Sequence, residues 1–313
     1  MYLYIARRVA AGLVLAILVT FITFLLLSFS FDGVVRSILG SSATDETVAA
    51  LRASLGMDQP VVIQYLDWLT SVFRRDFGTS YFTSEPVGPA VVQRLSVTLS
   101  VVLVALAITV VLSVTLGVVS AVRGGAIDKF AQGVSLFGLV FPSLLLAIVL
   151  VVVFAINLRW LPATGFTPFA ENPAKWAASI TIPVIVLVIA GTANMAAQVR
   201  GAMIDELHKD YVRTLRTRGF GSGTIVIQHA LRNAAGPALT VLGFEFIAML
   251  GGALIIEKVF ALPGYGTFAF ASALRGDVPV IMGVTAFGVL LVVLINLLID
   301  ILSGWLRPKA RLY

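Results

Sequence analysis

The amino-acid sequence predicts an all-α protein that crosses a membrane six times. Of its 313 residues, 59% are apolar and 12% carry charge, whereas soluble domains have fewer apolar residues and about twice as many charged ones. Six nearly uncharged runs each reach the roughly 20 residues that a helix needs to cross the hydrocarbon core. Backbone amides in lipid have to be satisfied within their own segment, and these runs are far longer than barrel strands. We therefore expect six transmembrane helices.

The six runs differ in what precedes or interrupts them. The first follows Arg7 and Arg8, as a secretory signal peptide would, but no small-x-small cleavage site comes after it, so we expect a retained helix. Pro142 falls inside the third run and Pro183 inside the fourth, where each removes a helix hydrogen bond and predicts a bend. Glu245 interrupts the fifth. The runs are residues 9–30, 95–122, 130–158, 176–199, 233–256 and 278–299.

The positions of lysine and arginine predict which ends face the cytoplasm. With the N-terminus inside, the inner segments contain thirteen basic and four acidic residues, and the outer segments contain nine basic and ten acidic residues. Basic residues concentrate on the cytoplasmic side of membrane proteins, so we expect both termini there. Three of the inner basic residues are Arg307, Lys309 and Arg311. The net charge of +6 then follows from topology and does not indicate a nucleic-acid partner.

The chain is expected to have three parts. Residues 1–30 form the cytoplasmic N-terminus and the first transmembrane helix, residues 31–94 an external insertion, and residues 95–313 a five-helix core that contains a long cytoplasmic loop at 200–236. The sequence has no cysteine, which excludes disulfides and thiolate metal sites. The only histidines, His208 and His229, both lie in the cytoplasmic loop and do not predict a zinc site.

Residues 209–218 of this loop predict a short amphipathic helix. At helical spacing the apolar face contains Tyr211, Val212 and Leu215, and the basic face contains Lys209, Arg213 and Arg216. Gly219 then supplies a residue that tolerates the left-handed turn ending a helix. Thr224 is a candidate N-cap for a second helix, and Pro237 stands near the start of the fifth run, where a proline costs little.

Three functions are open for this loop. The first is a basic amphipathic helix that rests on anionic lipid headgroups. The second is a phosphate-binding loop at the GFGSG run, residues 219–223, although no Gly-Lys pair occurs anywhere in the chain and a Walker A loop is therefore excluded. The third is a docking element whose apolar face enters a groove on a cytosolic partner.

Short motifs follow one another along nearly the whole chain. The cytoplasmic loop contains Tyr211-Val212-Arg213-Thr214-Leu215-Arg216-Thr217-Arg218-Gly219, then His229-Ala230-Leu231-Arg232-Asn233-Ala234 and Pro237. The others are Tyr4-Ile5-Ala6-Arg7-Arg8, Leu55-Gly56-Met57-Asp58-Gln59-Pro60, Asp76-Phe77-Gly78-Thr79-Ser80 with Pro86-Val87, Leu161-Pro162 with Gly165, Glu257-Lys258-Val259-Phe260 with Pro263-Gly264-Tyr265-Gly266, and Asp277-Val278-Pro279. Their order and spacing resemble the permease subunits of ABC importers, in particular the B-type permeases of the dipeptide, oligopeptide and nickel family. The sequence departs from that family at Leu215, where alanine is usual, and at Arg307-Pro308-Lys309, where Asp-Pro-Arg is usual.

The resemblance implies a type I importer fold and a transport subunit that is not itself an enzyme and binds no cofactor. Cytosolic ATP-binding subunits would bind ATP and Mg²⁺, a second homologous permease would complete a heterodimer, and an extracytoplasmic peptide-binding protein would deliver the cargo at a bacterial inner membrane. The cytoplasmic loop would couple ATP hydrolysis to transport. Residues expected to enter a cleft of the ATPase are Tyr211, Val212 and Leu215; Arg213 and Arg216 would face acidic residues or solvent, and Gly219 would end the coupling helix.

The external insertion contains a second predicted amphipathic helix at residues 61–74. Its apolar positions are Val62, Tyr65, Leu66, Leu69, Val72 and Phe73. Asp58 is a candidate N-cap, with Pro60 in the first turn. This helix could simply cover the bundle, or it could help to dock the binding protein, as the resemblance implies. The docking residues are then expected to be Asp67, Asp76, Gly78 and Ser80.

Polar side chains inside the predicted spans mark a translocation path or contacts between helices. Glu245 lies near the centre of its span, where an ionised group facing lipid costs about 3 kcal/mol, so it is expected to face either the interior of the helix bundle or the partner subunit. We assign Glu245, Asn194 and Gln198 to the path, and Asn296 and Asp300 to contacts between helices.

Two other function classes remain as alternatives to an ATP-driven peptide importer. A self-sufficient secondary transporter would usually show internal repeats, and none is evident here. A membrane enzyme would need a catalytic motif, but His-Glu-x-x-His and Gly-x-Ser-x-Gly are both absent from the sequence. An importer permease for nickel or another small solute also fits the motifs.

Overall fold

The computed structural model describes residues 2–306. The motif Arg307-Pro308-Lys309 and the predicted inner position of Arg311 lie outside this range. Within it the chain is helical, and its only extended pairing is an isolated bridge between Thr79 and Pro86. The all-α prediction is therefore confirmed for the part of the chain that the structure describes.

Thirteen α-helices are found between residues 2 and 306. In chain order they are α1 (Tyr2–Ser28), α2 (Phe31–Leu39), α3 (Asp45–Ser54), α4 (Val61–Phe73), α5 (Val87–Arg123), α6 (Gly125–Val140), α7 (Ser143–Leu150), α8 (Pro173–Leu207), α9 (Asp210–Thr217), α10 (Ser222–Thr224), α11 (Leu231–Val259), α12 (Tyr265–Arg275) and α13 (Val278–Leu306). Two π-helical segments, Val151–Asn157 and Ile225–Ala230, continue α7 and join α10 to α11.

Five continuous helices within residues 2–306 are long and apolar enough to cross a membrane. They are Ile5–Ser28, Val87–Arg123, Pro173–Leu207, Ser222–Val259 and Val278–Gly304. The third predicted span is not one helix, because α6 and the segment Ser143–Asn157 meet at 97°. Pro142 causes the break: it has no N–H, and it disfavours the helical conformation at Phe141, whose ψ is 121°. Pro183, in contrast, lies inside continuous α8.

The chain forms two compact units. Within residues 2–306, the first contains the chain as far as Val97 together with Pro263–Leu294, and the second contains Thr98–Leu262 and the helical residues that follow from Ile295. The external insertion thus belongs to the first unit, and the cytoplasmic loop belongs to the second.

The core of the first unit is built around α4, which confirms the predicted amphipathic helix. Tyr65 is buried, and its hydroxyl donates to the carbonyl of Ile17 at 3.0 Å. Pro60, not Asp58, occupies the N-cap position. Asp58 instead forms an ion pair with Arg52, in which Oδ1 of the aspartate lies 2.9 Å from Nε of the arginine. Three of the predicted apolar positions are exposed within the chain: Val62, Leu66 and Phe73.

The second unit is organised around α8, which packs against α6 and α11. Close approach to α6 depends on Gly138, since a Cβ there would lie 2.8 Å from the carbonyl oxygen of Ile189. In the C-terminal half of α8, Met195, Val199 and Met203 are buried in a cluster with residues of the α11 region. This apolar cluster lies at the base of the cytoplasmic loop.

The cytoplasmic loop contains one short helix and then a turn into a long one. α9 ends in a Schellman motif, in which the N–H of Phe220 donates to Leu215 at 3.1 Å and the N–H of Gly219 donates to Arg216 at 3.0 Å. Gly219 has φ +82°, so its predicted left-handed conformation is confirmed. The second helix begins at Ser222 after the N-cap Gly221, and the prediction of Thr224 as N-cap is wrong.

The fifth predicted span extends further into the cytoplasmic loop than the sequence indicated. Helical structure runs without a break from Ser222 to Val259. Pro237 therefore lies inside α11, and the prediction that it stands near the start of the span is wrong. The π-helical segment Ile225–Ala230 connects the loop directly to the transmembrane part.

Candidate coupling, path and docking sites

The outer side of α9 is basic and exposed. Arg213 and Arg216 are both exposed. Arg213 Nη1 lies 4.0 Å from the carboxylate of Asp210, and both side chains are mostly in solvent, so this pair contributes little to stability. Tyr211 and Leu215 are half-buried. Two arginine side chains are thus presented outward, and among residues 2–306 no strong ion pair holds them.

The inner side of α9 is held by Glu206, near the end of α8. The carboxylate of Glu206 is 8% exposed and accepts hydrogen bonds from Lys209 Nζ and from the hydroxyl of Tyr211 at 3.0 Å. The Tyr211 hydroxyl in turn accepts from Asn233 Nδ2 at 3.3 Å. Burial raises the pKa of Tyr211, and so do the hydrogen bond to Glu206 and its charge, although the bond from Asn233 opposes them. The hydroxyl therefore stays protonated and can donate.

The structure corrects the expectation for Val212. Its side chain is fully buried within the chain, so it is not available to a partner surface. Val212 instead packs against the rest of this chain and holds α9 in place. It directly follows Tyr211, whose hydroxyl bonds to Glu206. Helical periodicity separated the apolar from the basic face correctly, but it could not tell whether the apolar face meets this chain or another one.

Glu245 lies inside the second unit, as predicted. It is 7% exposed, and its Oε2 accepts a hydrogen bond from Asn194 Nδ2 at 3.2 Å. Gly191 provides the space, since a Cβ there would lie 2.7 Å from Glu245 Oε1. Asn194 and Gln198 are exposed, one turn apart on α8. An exposed amide thus connects a buried carboxylate to the surface of the unit.

A cavity of about 430 Å³ lies beside Asn194, between α5, α6 and α8. Its lining includes Asn194, Gln132 and Arg200. Arg200 donates from Nε and Nη2 to both oxygens of Asp128, at 2.5 and 2.6 Å, and Ser120 also donates to Asp128. This ion pair joins α8 to α6, and the sequence reasoning did not identify it.

The predicted docking residues of the external insertion divide into exposed and buried ones. Asp67, Asp76 and Gly78 are exposed, and Asp76 Oδ1 accepts the N–H of Gly78 at 2.8 Å. Ser80 is 5% exposed, because its hydroxyl donates to Asp277 Oδ2 at 2.5 Å. The structure therefore corrects the assignment of Ser80, which is an internal support of the loop and not part of its surface.

Asp277 holds this external loop from inside. It is 3% exposed, and its Oδ1 also accepts the backbone N–H of Tyr81 at 3.2 Å. Burial, followed by the charge of Asp277, raises the pKa of Tyr81. Asp277 belongs to a motif noted in the sequence, but its role as an acceptor for residues almost two hundred positions away gave no local signal.

Two family descriptions match the chain in adjoining stretches. Residues 113–312 match the binding-protein-dependent transport system inner membrane component, and residues 1–102 match the N-terminal region of the same membrane component. The chain belongs to this family. It is therefore a multi-pass inner membrane permease and a component of a transport system.

Curated relatives of the permease extend over its whole length. A putative peptide transport system permease of Brucella abortus is 37% identical over 308 residues, which cover 98% of each chain. A probable peptide ABC transporter permease of Sinorhizobium fredii is 34% identical and covers 99% of this chain and 100% of its own. A glutathione transport system permease of Salmonella typhimurium is 31% identical over 98% of each chain.

Solved structures confirm the fold of the permease. A methionine ABC transporter in an inward-facing conformation matches 69% of this chain and 96% of its own, with a TM-score of 0.55 and 16% identity. An amino acid ABC transporter matches 69% of this chain and 93% of its own, with a TM-score of 0.50 and 16% identity. At this identity the match concerns the fold alone.

Sequence reasoning missed one residue of the coupling region, Glu206. The charge pattern includes Glu206 only as one of four inner acidic residues, together with its neighbour Asp205. A signal was present, because Glu206 lies three positions after Met203, so both fall on the same face of α8. Met203 is fully buried and Asp205 is exposed. An acid on the buried face of a helix requires donors, and here α9 provides them.

Proposed function

We propose that this chain is the permease subunit of an ATP-driven peptide importer and that α9 transmits the movement of ATP-binding subunits to the membrane helices. The observation that carries the proposal is the arrangement of α9. Its outer face presents Arg213 and Arg216, while its inner side is fixed through Glu206 to α8 and through Tyr211 to Asn233 of α11. Because α9 is bonded to both α8 and α11, a displacement of α9 can be transmitted to both helices.

The basic face favours a protein partner with acidic side chains. Guanidinium groups form paired, directional hydrogen bonds with carboxylates, and Arg213 and Arg216 lie one turn apart on α9. A helix that only rested on lipid headgroups would need a broad apolar face toward the membrane, whereas Val212 is buried within the chain.

The other parts of the transport system are assigned by family membership. ATP-binding subunits would hold ATP and Mg²⁺ and carry out hydrolysis, so the permease itself would have no catalytic role and no cofactor. A second, homologous permease would complete the path, whose residues in this chain are Glu245, Asn194 and Gln198. A peptide-binding protein would dock outside, near Asp67, Asp76 and Gly78. Both chain termini would then lie in the cytoplasm, as the distribution of basic residues predicts.

A charge reversal on α9 tests the coupling role. The permease is co-expressed with the ATP-binding subunits, second permease and binding protein of the same system, and carries Arg213→Glu and Arg216→Glu. We expect the ATP-binding subunits to be lost from the purified complex and ATP-driven peptide uptake into proteoliposomes to fall by about tenfold or more, since reversing close charge pairs at an interface costs several kcal/mol.

The matched control is Lys129→Glu, which reverses an exposed charge on α6. Lys129 is exposed and lies outside α9, so uptake should stay near the wild-type level. If the double reversal left both subunit association and uptake intact, α9 would not be the coupling element.

The cargo proposal rests on the relatives, which are named for peptide and glutathione transport. Competition against uptake of a labelled dipeptide in the same proteoliposomes tests it, with unlabelled dipeptides, oligopeptides, glutathione and Ni²⁺ as competitors. Inhibition by peptides but not by Ni²⁺ is expected. Inhibition by Ni²⁺ alone would replace the peptide assignment, and uptake without ATP would contradict an ATP-driven importer altogether.

A further inference from the structure

Three polar contacts occur along the cytoplasmic half of α8. Asn194 donates to Glu245 of α11 at 3.2 Å, Arg200 pairs with Asp128 of α6, and Glu206 accepts from Lys209 and Tyr211 at α9. These contacts lie six residues apart along α8. A single rigid helix therefore connects the cytoplasmic loop to the buried carboxylate of Glu245. Any displacement of α9 that is transmitted by Glu206 would reach all three.

The contact at Glu206 differs from an ordinary surface ion pair. Its carboxylate is 8% exposed, and a buried carboxylate without donors would be costly. Both of its donors come from the start of the coupling region, Lys209 just before α9 and Tyr211 in its first turn. Removing the carboxylate would therefore free α9 from α8 at the point where the chain changes direction.

Tyr211 extends the contact at Glu206 to α11. Its hydroxyl donates to Glu206 at 3.0 Å and accepts from Asn233, which lies near the start of α11, at 3.3 Å. One hydroxyl thus links the end of α8 with the start of α11 through α9. Hydrogen bonds in such a chain reinforce one another inside a protein.

We propose that Glu206 is a positioning residue for transport coupling, which holds α9 rigidly to α8 and, through the Tyr211 hydroxyl, to α11. The inference rests on the proposed function of α9 as the coupling element. It adds that coupling depends on this buried carboxylate, which itself contacts neither cargo nor ATP.

The test combines a distance measurement with transport stoichiometry. Because the sequence has no cysteine, spin labels can be placed at Thr214→Cys on α9 and Gln228→Cys at the start of the long helix, both exposed positions. The distance distribution between the labels and the cargo transported per ATP hydrolysed are measured in the reconstituted complex. The variants are Glu206→Met, Glu206→Gln and Tyr211→Phe, and the matched control is Asp205→Asn, an exposed neighbouring acid.

Glu206→Met is expected to broaden the distance distribution between the labels. It is also expected to lower the cargo transported per ATP by about fivefold or more, since couplings between distant sites usually amount to at least about a fivefold effect. Glu206→Gln keeps an acceptor for Tyr211, so its effect should be smaller. Tyr211→Phe should also lower the stoichiometry, and it provides the test if Glu206→Met fails to fold. Asp205→Asn should match the wild type. A purely structural role would reduce uptake and ATP hydrolysis in proportion and leave their ratio unchanged.

Two results would overturn the inference. One is a narrow, unchanged distance distribution in both Glu206→Met and Tyr211→Phe. The other is a broadened distribution with normal cargo per ATP, which would mean that the position of α9 does not matter for coupling. Failure of the proposed function is seen separately, because in that case the ATP-binding subunits would stay associated after reversal of Arg213 and Arg216.

Discussion

The cytoplasmic and external polar regions are each anchored by one buried carboxylate, but the donors differ. Glu206 accepts from two side chains, those of Lys209 and Tyr211. Asp277 accepts from the hydroxyl of Ser80 and from the backbone N–H of Tyr81. A bond to the backbone fixes the course of the chain directly, whereas bonds to side chains fix a helix that is already formed.

This difference indicates different consequences when each anchor is lost. Without Asp277, a backbone N–H and a buried hydroxyl lose their acceptor, and the loop at residues 76–86 loses its conformation. Without Glu206, α9 keeps its own helical hydrogen bonds and its Schellman turn and loses only its polar attachment to α8. We therefore expect Asp277 to control stability and Glu206 to control coupling.

The largest effect is expected from Asp277→Ala. It leaves the buried Ser80 hydroxyl and the partly buried N–H of Tyr81 without their acceptor, which costs about 2 to 3 kcal/mol of the free energy of unfolding. The midpoint of thermal unfolding in detergent should fall clearly, and uptake should fall only as far as the amount of folded complex does. Cargo transported per ATP should remain at the wild-type level.

Asp67→Asn is the control for Asp277→Ala, because Asp67 is an exposed acid of the same unit. It should leave the unfolding midpoint unchanged. A normal midpoint in Asp277→Ala together with altered cargo per ATP would show that both anchors serve coupling, and the comparison would then fail.

The helical framework could be predicted from the sequence because its signals are local. Five of the six spans and the helices α4 and α9 follow from uncharged length and from periodicity. The right-angled break at Pro142 could not be predicted, since a proline inside an apolar run is compatible with a modest bend, as α8 shows at Pro183.

The candidate sites were predictable only in part. The exposed arginines of α9 followed from the charge pattern, but the burial of Val212 and Ser80 depends on contacts with distant segments. The same is true of the two anchoring carboxylates. A helical projection gives the angle between residues on one helix, and it carries no information on what lies opposite.

An intermediate effect is expected from Gly219→Val, which sharpens the comparison on the cytoplasmic side. Gly219 has φ +82° and open space around its Cα, so a Cβ there would meet no atom, but a side chain other than hydrogen would strain the left-handed turn by about 1 to 2 kcal/mol. The end of α9 should shift, peptide uptake should fall, and the cargo transported per ATP should fall with it.

Gly221→Val is the matched control for Gly219→Val. Gly221 is also exposed, and a Cβ there would meet nothing, but its φ of −65° is open to any residue. Uptake should therefore stay close to wild type. Equal losses in both variants would mean that bulk at the loop, and not the turn that ends α9, is what coupling senses.

The smallest effect is expected from Ser80→Ala in the external loop. The Ser80 hydroxyl donates to Asp277 and accepts from the N–H groups of Phe82 and Thr83 at 3.2 and 3.0 Å, but the bond from Tyr81 to Asp277 remains. We expect a loss of about 1 kcal/mol in the free energy of unfolding, seen as a small drop in the unfolding midpoint. Thr83→Ala, which changes an exposed side chain, should cause less.

A double variant, Ser80→Ala with Asp277→Ala, separates the bond of Ser80 to Asp277 from its bonds to Phe82 and Thr83. If Ser80 acts mainly through Asp277, adding Ser80→Ala to Asp277→Ala should lower the unfolding midpoint little further. The reason is that the effects of two substitutions on stability do not add when both residues belong to one hydrogen-bond network. Full additivity would mean that Ser80 stabilises the loop chiefly through Phe82 and Thr83. In that case the external loop would have two independent supports, while α9 has a single buried carboxylate.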